Sequence, residues 1–368
     1  MTITVKKTSP DFHVTMAGVP FPSPLGVAAV GNHWGRALYR EPENYAEANA
    51  GILLKHVRAG AGFIYVTGTF VREETVARLH ESARAEERPS RAKGIGRRVL
   101  RAGEHNAPYG VEGLYLVTAP FWITAEEEKM ATPAREQLMK LLKQKKPADV
   151  PIIANCGGLG DLPETYVDSA RRWEELGADM VEINLSCPQP PAMKGAVEDF
   201  FAEKFPARFM GSLVGDNPDL AEKIIRAVVK AVRIPVGVKL SPENGFPRVV
   251  GTVRMIRDAG AKFVQVFNSA TGIAPPDIYQ RGKPRWPFAD GNPFCLAAGS
   301  WLRVLCYRDV AAISRFVPGI DVGASGGLVA PEHCIEAMML GARLTQLCTG
   351  IVEQGRDLLR RSRSFLKT

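Results

Sequence analysis

Three observations predict a closed (β/α)₈ barrel. Eight short apolar segments alternate with segments of helical period. The eight are apolar without a polar-out face, as parallel strands covered on both sides should be. And residues 25–30 run into Gly31-Asn32-His33 with no G-x-G-x-x-G, which a doubly wound dinucleotide fold would carry there. The 368 residues fit one domain of this class, about 250 residues plus insertions. Apolar residues at 45% supply a full core, and charged residues at 23% argue against disorder.

The elements follow in order. A hairpin at 13–16 and 19–21 precedes the first core strand, 25–29. Further strands are expected at 63–67, 151–155, 180–184, 235–240, 263–268, 320–323 and 344–348. Helical period marks 44–56, 164–176, 220–232, 248–259, 307–316 and 331–340, with a terminal helix over 351–365. Two segments exceed the minimal barrel. Residues 72–124 follow the second strand and are basic in their first half; residues 271–300 follow the sixth and are rich in Pro, Gly and aromatics. Both should emerge at the C-terminal face, where long loops serve as lids or specificity elements. The charge-dense 73–101 reads equally well as a solvated stretch.

Composition narrows the function. A net charge of +8 suits an anionic ligand. No aromatic-plus-basic platform or helix-turn-helix signal points to nucleic acid. None of the six cysteines (156, 187, 295, 306, 334, 348) forms a C-x-x-C pair, so no metal or iron–sulfur site is expected. Free thiols suit a reducing, cytoplasmic setting. The opening residues hold no apolar run suited to a signal peptide or a membrane span.

Chemistry gathers where the strands end: Ala28-Ala29, Thr67-Gly68-Thr69, Asn155, Asn184 through Cys187, Lys239, Asn268-Ser269, Gly326-Gly327 and Thr349-Gly350. One polar strand end means little, but a ring of them converges on one pocket. Pro188 stops its strand and leaves the Cys187 thiol at an opening loop. That thiol reads as a catalytic group or as a small packing residue. The glycines after strands seven and eight can bring backbone N–H groups close to a phosphate. Lys239, ending an apolar strand, must pair with an anion or serve as a Schiff-base nucleophile.

The blocks E-I-N-L-S-C-P at 182–188, V-K-L-S-P at 238–242, F-N-S at 267–269, G-A-S-G-G-L at 323–328 and G-A-R-L-T-Q-L-C-T-G at 341–350 stand in one order. With V-P-F-P-S-P-L-G-V-A-A at 19–29, this set resembles the dihydroorotate and dihydropyrimidine dehydrogenase family, FMN-dependent (β/α)₈ enzymes. The resemblance implies roles. Cys187 matches the general acid/base on the carbon next to the hydride carbon. Asn184, Asn268 and Ser269 match groups on the substrate ring, with Gln189 at a further substrate position. Lys239 matches the lysine beside the flavin's pyrimidine edge. Ala28, Ala29, Thr67, Gly299, Gly326, Gly327 and Thr349 match cofactor contacts, as do Asn155, Asn184 and Ser269.

The departures lie on the substrate side. Gly68 stands where the family usually has a lysine, Gln189 where it often has Asn, and the N-x-x-G-L-x-N loop has only Tyr109–Leu114 as a counterpart. These changes point away from dihydroorotate toward another small cyclic or conjugated amide. The resemblance thus implies a soluble FMN oxidoreductase acting on a C–C bond beside a carbonyl or amide. A soluble electron donor or acceptor, or a partner subunit, would complete it, and a homodimer is expected. Two other readings stay open: a Schiff-base lyase or aldolase using Lys239, and a flavin-binding barrel without catalysis.

Overall fold

The computed structural model describes residues 12–29, 42–70, 72, 96–100, 114–118, 125–187, 202–203, 212–273, 276–284 and 294–367. Strands β1 (Val14–Met16) and β2 (Val19–Phe21) form the expected antiparallel hairpin. Then come β3 (Leu25–Val27), α1 (Pro42–Arg58) and β4 (Ile64–Thr67). The first insertion carries β5 (Gly96–Leu100) and β6 (Leu114–Thr118), and α2 (Ala125–Lys145) returns the chain to β7 (Ile152–Cys156). Next are α3 (Pro163–Glu175), β8 (Met180–Asn184), α4 (Ser212–Gly215), α5 (Pro218–Ala231), β9 (Val236–Lys239), α6 (Arg248–Asp258) and β10 (Phe263–Val266). The second insertion holds β11 (Ala270–Ile273), β12 (Pro276–Asp277), β13 (Lys283–Pro284) and β14 (Phe294–Ala298). The chain finishes with α7 (Arg303–Phe316), β15 (Asp321–Ser325), α8 (Pro331–Met339), β16 (Leu344–Leu347), α9 (Thr349–Gln354) and α10 (Asp357–Phe365).

Eight strands make one all-parallel sheet in the order β3-β16-β15-β10-β9-β8-β7-β4. Its two ends meet where Gly62 N–H donates to the Leu25 carbonyl at 2.8 Å, so the predicted (β/α)₈ barrel is what forms. Alternation along each strand explains the continuous apolar runs. Ile64, Val66, Val181, Ile183, Val236, Val238, Val264 and Val266 pack outward against helices. Phe63, Ile153, Met180, Phe263 and Leu344 fill the base of the interior, where Met16 and Phe21 of the hairpin close it. Helix α5 shows the matching logic: the Asn217 side chain caps Leu220 N–H at 2.9 Å, and Leu220, Ala221, Ile224, Ile225 and Val228 bury one stripe.

Several expectations need correction. Most strand ends move by one or two residues: β3 stops at Val27, β10 at Val266, and β15 runs on to Ser325. Helix α2 is additional to the expected elements, and Pro133 lies inside it, where a proline more often ends a helix. The terminal helix divides into α9 and α10 at Gly355, whose φ of 66° ends a right-handed turn. The two insertions meet. They combine into one antiparallel sheet, β11-β14-β6-β5, with Leu116 opposite Ala297. Thr271 N–H donates to the Glu243 carboxylate at 2.8 Å and ties this sheet to the segment after β9.

Helix α1 buries His56, and among the described residues neither ring nitrogen has a hydrogen-bond partner. Burial, with the Arg356 charge nearby, pushes its pKa from 6.5 down to about 4. The folded state therefore resists a proton that the unfolded chain accepts. This contribution is complete above pH 6.5 and is lost as pH falls toward 4. Urea unfolding should lose about 3 kcal/mol from this source across that window. His56→Leu should flatten that part of the pH profile; an unchanged profile would remove His56 as its source.

Candidate active site

Above the apolar base, the barrel interior turns polar. Tyr65, Glu182, Gln265 and Gln346 are fully buried there. The Tyr65 hydroxyl donates to Glu182 Oε2 at 2.7 Å, and Gln346 Nε2 donates to Gln265 Oε1 at 2.7 Å. Burial and the neighbouring carboxylate hold the Tyr65 phenol well above its usual range, so it keeps its proton. Room for this layer comes from glycine: a Cβ on Gly323 would stand 2.1 Å from Gln265 Oε1.

From this floor a chain of hydrogen bonds climbs to the strand ends. Asn155 Nδ2 donates to Glu182 Oε1 at 2.6 Å, and Asn184 Nδ2 donates to Asn155 Oδ1 at 3.2 Å. Asn184 Oδ1 accepts from Ser186 N–H at 3.2 Å and from Ser186 Oγ at 3.0 Å. Asn268 Nδ2 then donates to Ser186 Oγ at 3.2 Å, and Asn268 Oδ1 accepts from Ser269 N–H at 2.8 Å. The chain links the ends of β7, β8 and β10, and ties down the segment that carries Cys187.

Lys239 pairs with Asn184 across β8 and β9, and its residue is 4% exposed. Among the described residues it forms no ion pair. A buried cation without a carboxylate calls for an anion from elsewhere. Cys187 lies within its electrostatic reach: burial pushes the thiol up to about 12, and the Lys239 charge pulls the other way. At neutral pH the sulfur therefore keeps its proton.

Glycines shape the opposite side of the mouth. Gly299, Gly326 and Gly327 have φ of 142°, 116° and 74°. A Cβ on Gly327 would stand 2.4 Å from the Arg303 backbone nitrogen, so the loop after β15 lies against the start of α7 with no room for a side chain. Buried Thr349 follows β16, next in the sheet to β3, whose ladder Ala28 continues by donating to Leu347 O at 3.0 Å. Ala28 and Ala29 are buried beside it.

The strand-end residues singled out by sequence thus share one end of the barrel. Gln189 lies outside the described residues. Gly68 has a structural reason: a Cβ there would meet Arg135 Nε at 2.4 Å. The Arg135 guanidinium, almost fully buried, donates to the Thr69 carbonyl at 2.9 Å and stacks over Phe70. Trp173 Nε1 donates to the Gly68 carbonyl at 2.9 Å. A lysine at 68 would have to displace Arg135. Sequence reading overlooked Glu182, although a lone carboxylate inside an apolar strand was the available signal. Among the described residues no His, Cys, Asp or Glu cluster could hold a metal ion, and no helix is long and apolar enough to cross a membrane.

Comparison with known proteins gives the same resemblance as the motifs. The family model "Dihydrouridine synthase (Dus)" matches residues 122–267, less than half of the chain. The catalytic subunit of dihydroorotate dehydrogenase B (NAD(+)) from Methanocaldococcus jannaschii is 29% identical over 228 residues, 61% of this chain and 64% of that protein. The NAD-dependent dihydropyrimidine dehydrogenase subunit PreA of Escherichia coli K12 is 28% identical over 228 residues, 61% of this chain and 50% of PreA. The matches thus span between half and just under two thirds of these relatives' lengths. Among solved structures, dihydroorotate dehydrogenase of Eimeria tenella in complex with ferulenol superposes with a TM-score of 0.62 at 16% identity, covering 100% of this chain and 86% of that one. Its ligand-free form gives 0.63 at 15% identity. The structural likeness establishes the barrel.

Proposed function

We propose that this protein is an FMN-dependent oxidoreductase acting on a C–C bond beside a carbonyl or amide. One observation carries the reading: Lys239, buried and without an ion pair among the described residues, the Cys187 thiol and a glycine loop with no room for a side chain lie at one end of the barrel. The similar proteins, by their names, dehydrogenate dihydroorotate or a dihydropyrimidine, which favours the same chemistry here.

The residues fit the cofactor. The loops at Gly326, Gly327 and Thr349 would hold its phosphate, Ala28, Ala29, Thr67 and Gly299 its ring and chain, and Lys239 the ring edge that gains negative charge. FMN supplies hydride transfer at N5 when bound. Asn184, Asn268 and Ser269 would hydrogen-bond the substrate's carbonyl and amide edges, with Asn155 behind them. Cys187 would exchange a proton with the carbon adjacent to the hydride carbon. Gly68 offers no lysine to a substrate carboxylate, and Arg135 fills the space a side chain there would need, which favours a cyclic amide other than dihydroorotate. Electrons would pass to or from a soluble carrier or a partner subunit, as the subunit names of both relatives suggest.

The visible absorption spectrum of the purified protein tests this, followed by heat release and identification of any chromophore. Flavin bands with FMN released support the assignment. A colourless protein that fails to take up added FMN would overturn it and bring Schiff-base chemistry at Lys239 forward, tested by borohydride trapping.

A further inference from the structure

We propose that Glu182 is a positioning residue: from the barrel floor it orients the Asn155 and Asn184 amides at the strand ends. This deepens the reading above, on which Asn184 faces the substrate.

The argument follows the direction of each hydrogen bond. A backbone N–H only donates, so Asn184 must turn Oδ1 toward Ser186 N–H. Its Nδ2 then faces Asn155, which must answer with Oδ1. Asn155 is left with Nδ2 pointing down into a fully enclosed interior, and that group needs an acceptor. Glu182 Oε1 is that acceptor, while the Tyr65 hydroxyl holds Oε2 and fixes the carboxylate's rotation. Each amide therefore has one satisfiable orientation. With both Oδ1 contacts on Ser186 filled, Asn184 offers a ligand its remaining N–H alone.

The acceptor, rather than the charge, is what this role requires. Glu182→Gln can keep a carbonyl on Asn155 and turn its NH₂ to the Tyr65 oxygen. Glu182→Met fills the same volume and accepts nothing, so Asn155 loses its partner and the Asn184 amide its support.

The test is hydrogen exchange of side-chain amides in ¹⁵N-asparagine-labelled protein as purified, with resonances assigned by Asn155→Ser and Asn184→Ser. Glu182→Met should speed exchange of both amides by at least about tenfold, while backbone amides of β8 stay protected. Glu182→Gln should remain within about threefold of the parent. An unchanged Asn184 amide in Glu182→Met overturns the proposal. So does a glutamine variant as fast as the methionine one, or loss of β8 backbone protection along with the side chains. If Glu182→Met does not fold, Asn155→Ser decides: Asn184 exchange must rise about tenfold there, and an unchanged rate overturns the proposal. No flavin signal enters this measurement, so a colourless protein would sink the functional reading and leave this result interpretable.

Discussion

With FMN bound as proposed, Cys187→Ala should retain it and slow its substrate-driven reduction or reoxidation by about 10² to 10⁴-fold, the usual worth of a placed general acid or base. The expectation rests on separation of tasks. The glycine loops and Lys239 belong to β9, β15 and β16, whereas the thiol lies one residue beyond Ser186, which is clamped between Asn184 and Asn268. Removing the sulfur takes away the proton without touching the cradle. Burial keeps that proton in place, with a pKa of about 12, so the wild-type rate should show no thiol ionisation between pH 6 and 9. Stopped-flow absorbance, using the cyclic amide that a substrate screen returns, measures the step. A rate within threefold of wild type would remove Cys187 from the chemistry.

The second large effect concerns stability. Gly62→Ala should cost about 3 kcal/mol or more, near the upper end for overpacking. A methyl group at 62 would stand 2.1 Å from the Ser23 carbonyl oxygen and 2.6 Å from the Ser23 nitrogen. Both are backbone atoms, which no side-chain rotation relieves. The same residue donates the bond that joins β4's approach to β3, so the clash falls where the sheet closes on itself. Gly51→Ala is the matched control. It lies inside α1 with nothing within 4 Å of an added Cβ, and should gain about 0.5–1 kcal/mol through helix propensity. Urea unfolding of the two variants side by side decides the matter; equal midpoints would mean that the seam tolerates a side chain.

The barrel was legible because its physics is local. Eight apolar runs and their polar ends can be read without knowing what each strand touches, and Val181, Ile183, Asn184 and Lys239 occupy the faces that alternation assigns. What escaped was non-local. Nothing in 72–124 announces that Leu116 will sit opposite Ala297, since the pairing partner lies in another insertion. Glu182 was quoted in a motif yet given no role, because its meaning comes from Tyr65 and Asn155 on neighbouring strands. Gly68 read as a lost lysine until Arg135, reaching in from an unforeseen helix, accounted for the space.

The shared sheet also bears on how such chains can be recombined. Its middle pair, β14 and β6, comes from two distant stretches of sequence, and each leaves the other with an unpaired edge if removed. Bare edges recruit foreign strands. A chimaera that borrows either stretch from a relative therefore needs both, or β14 and β6 each lose the partner they now have.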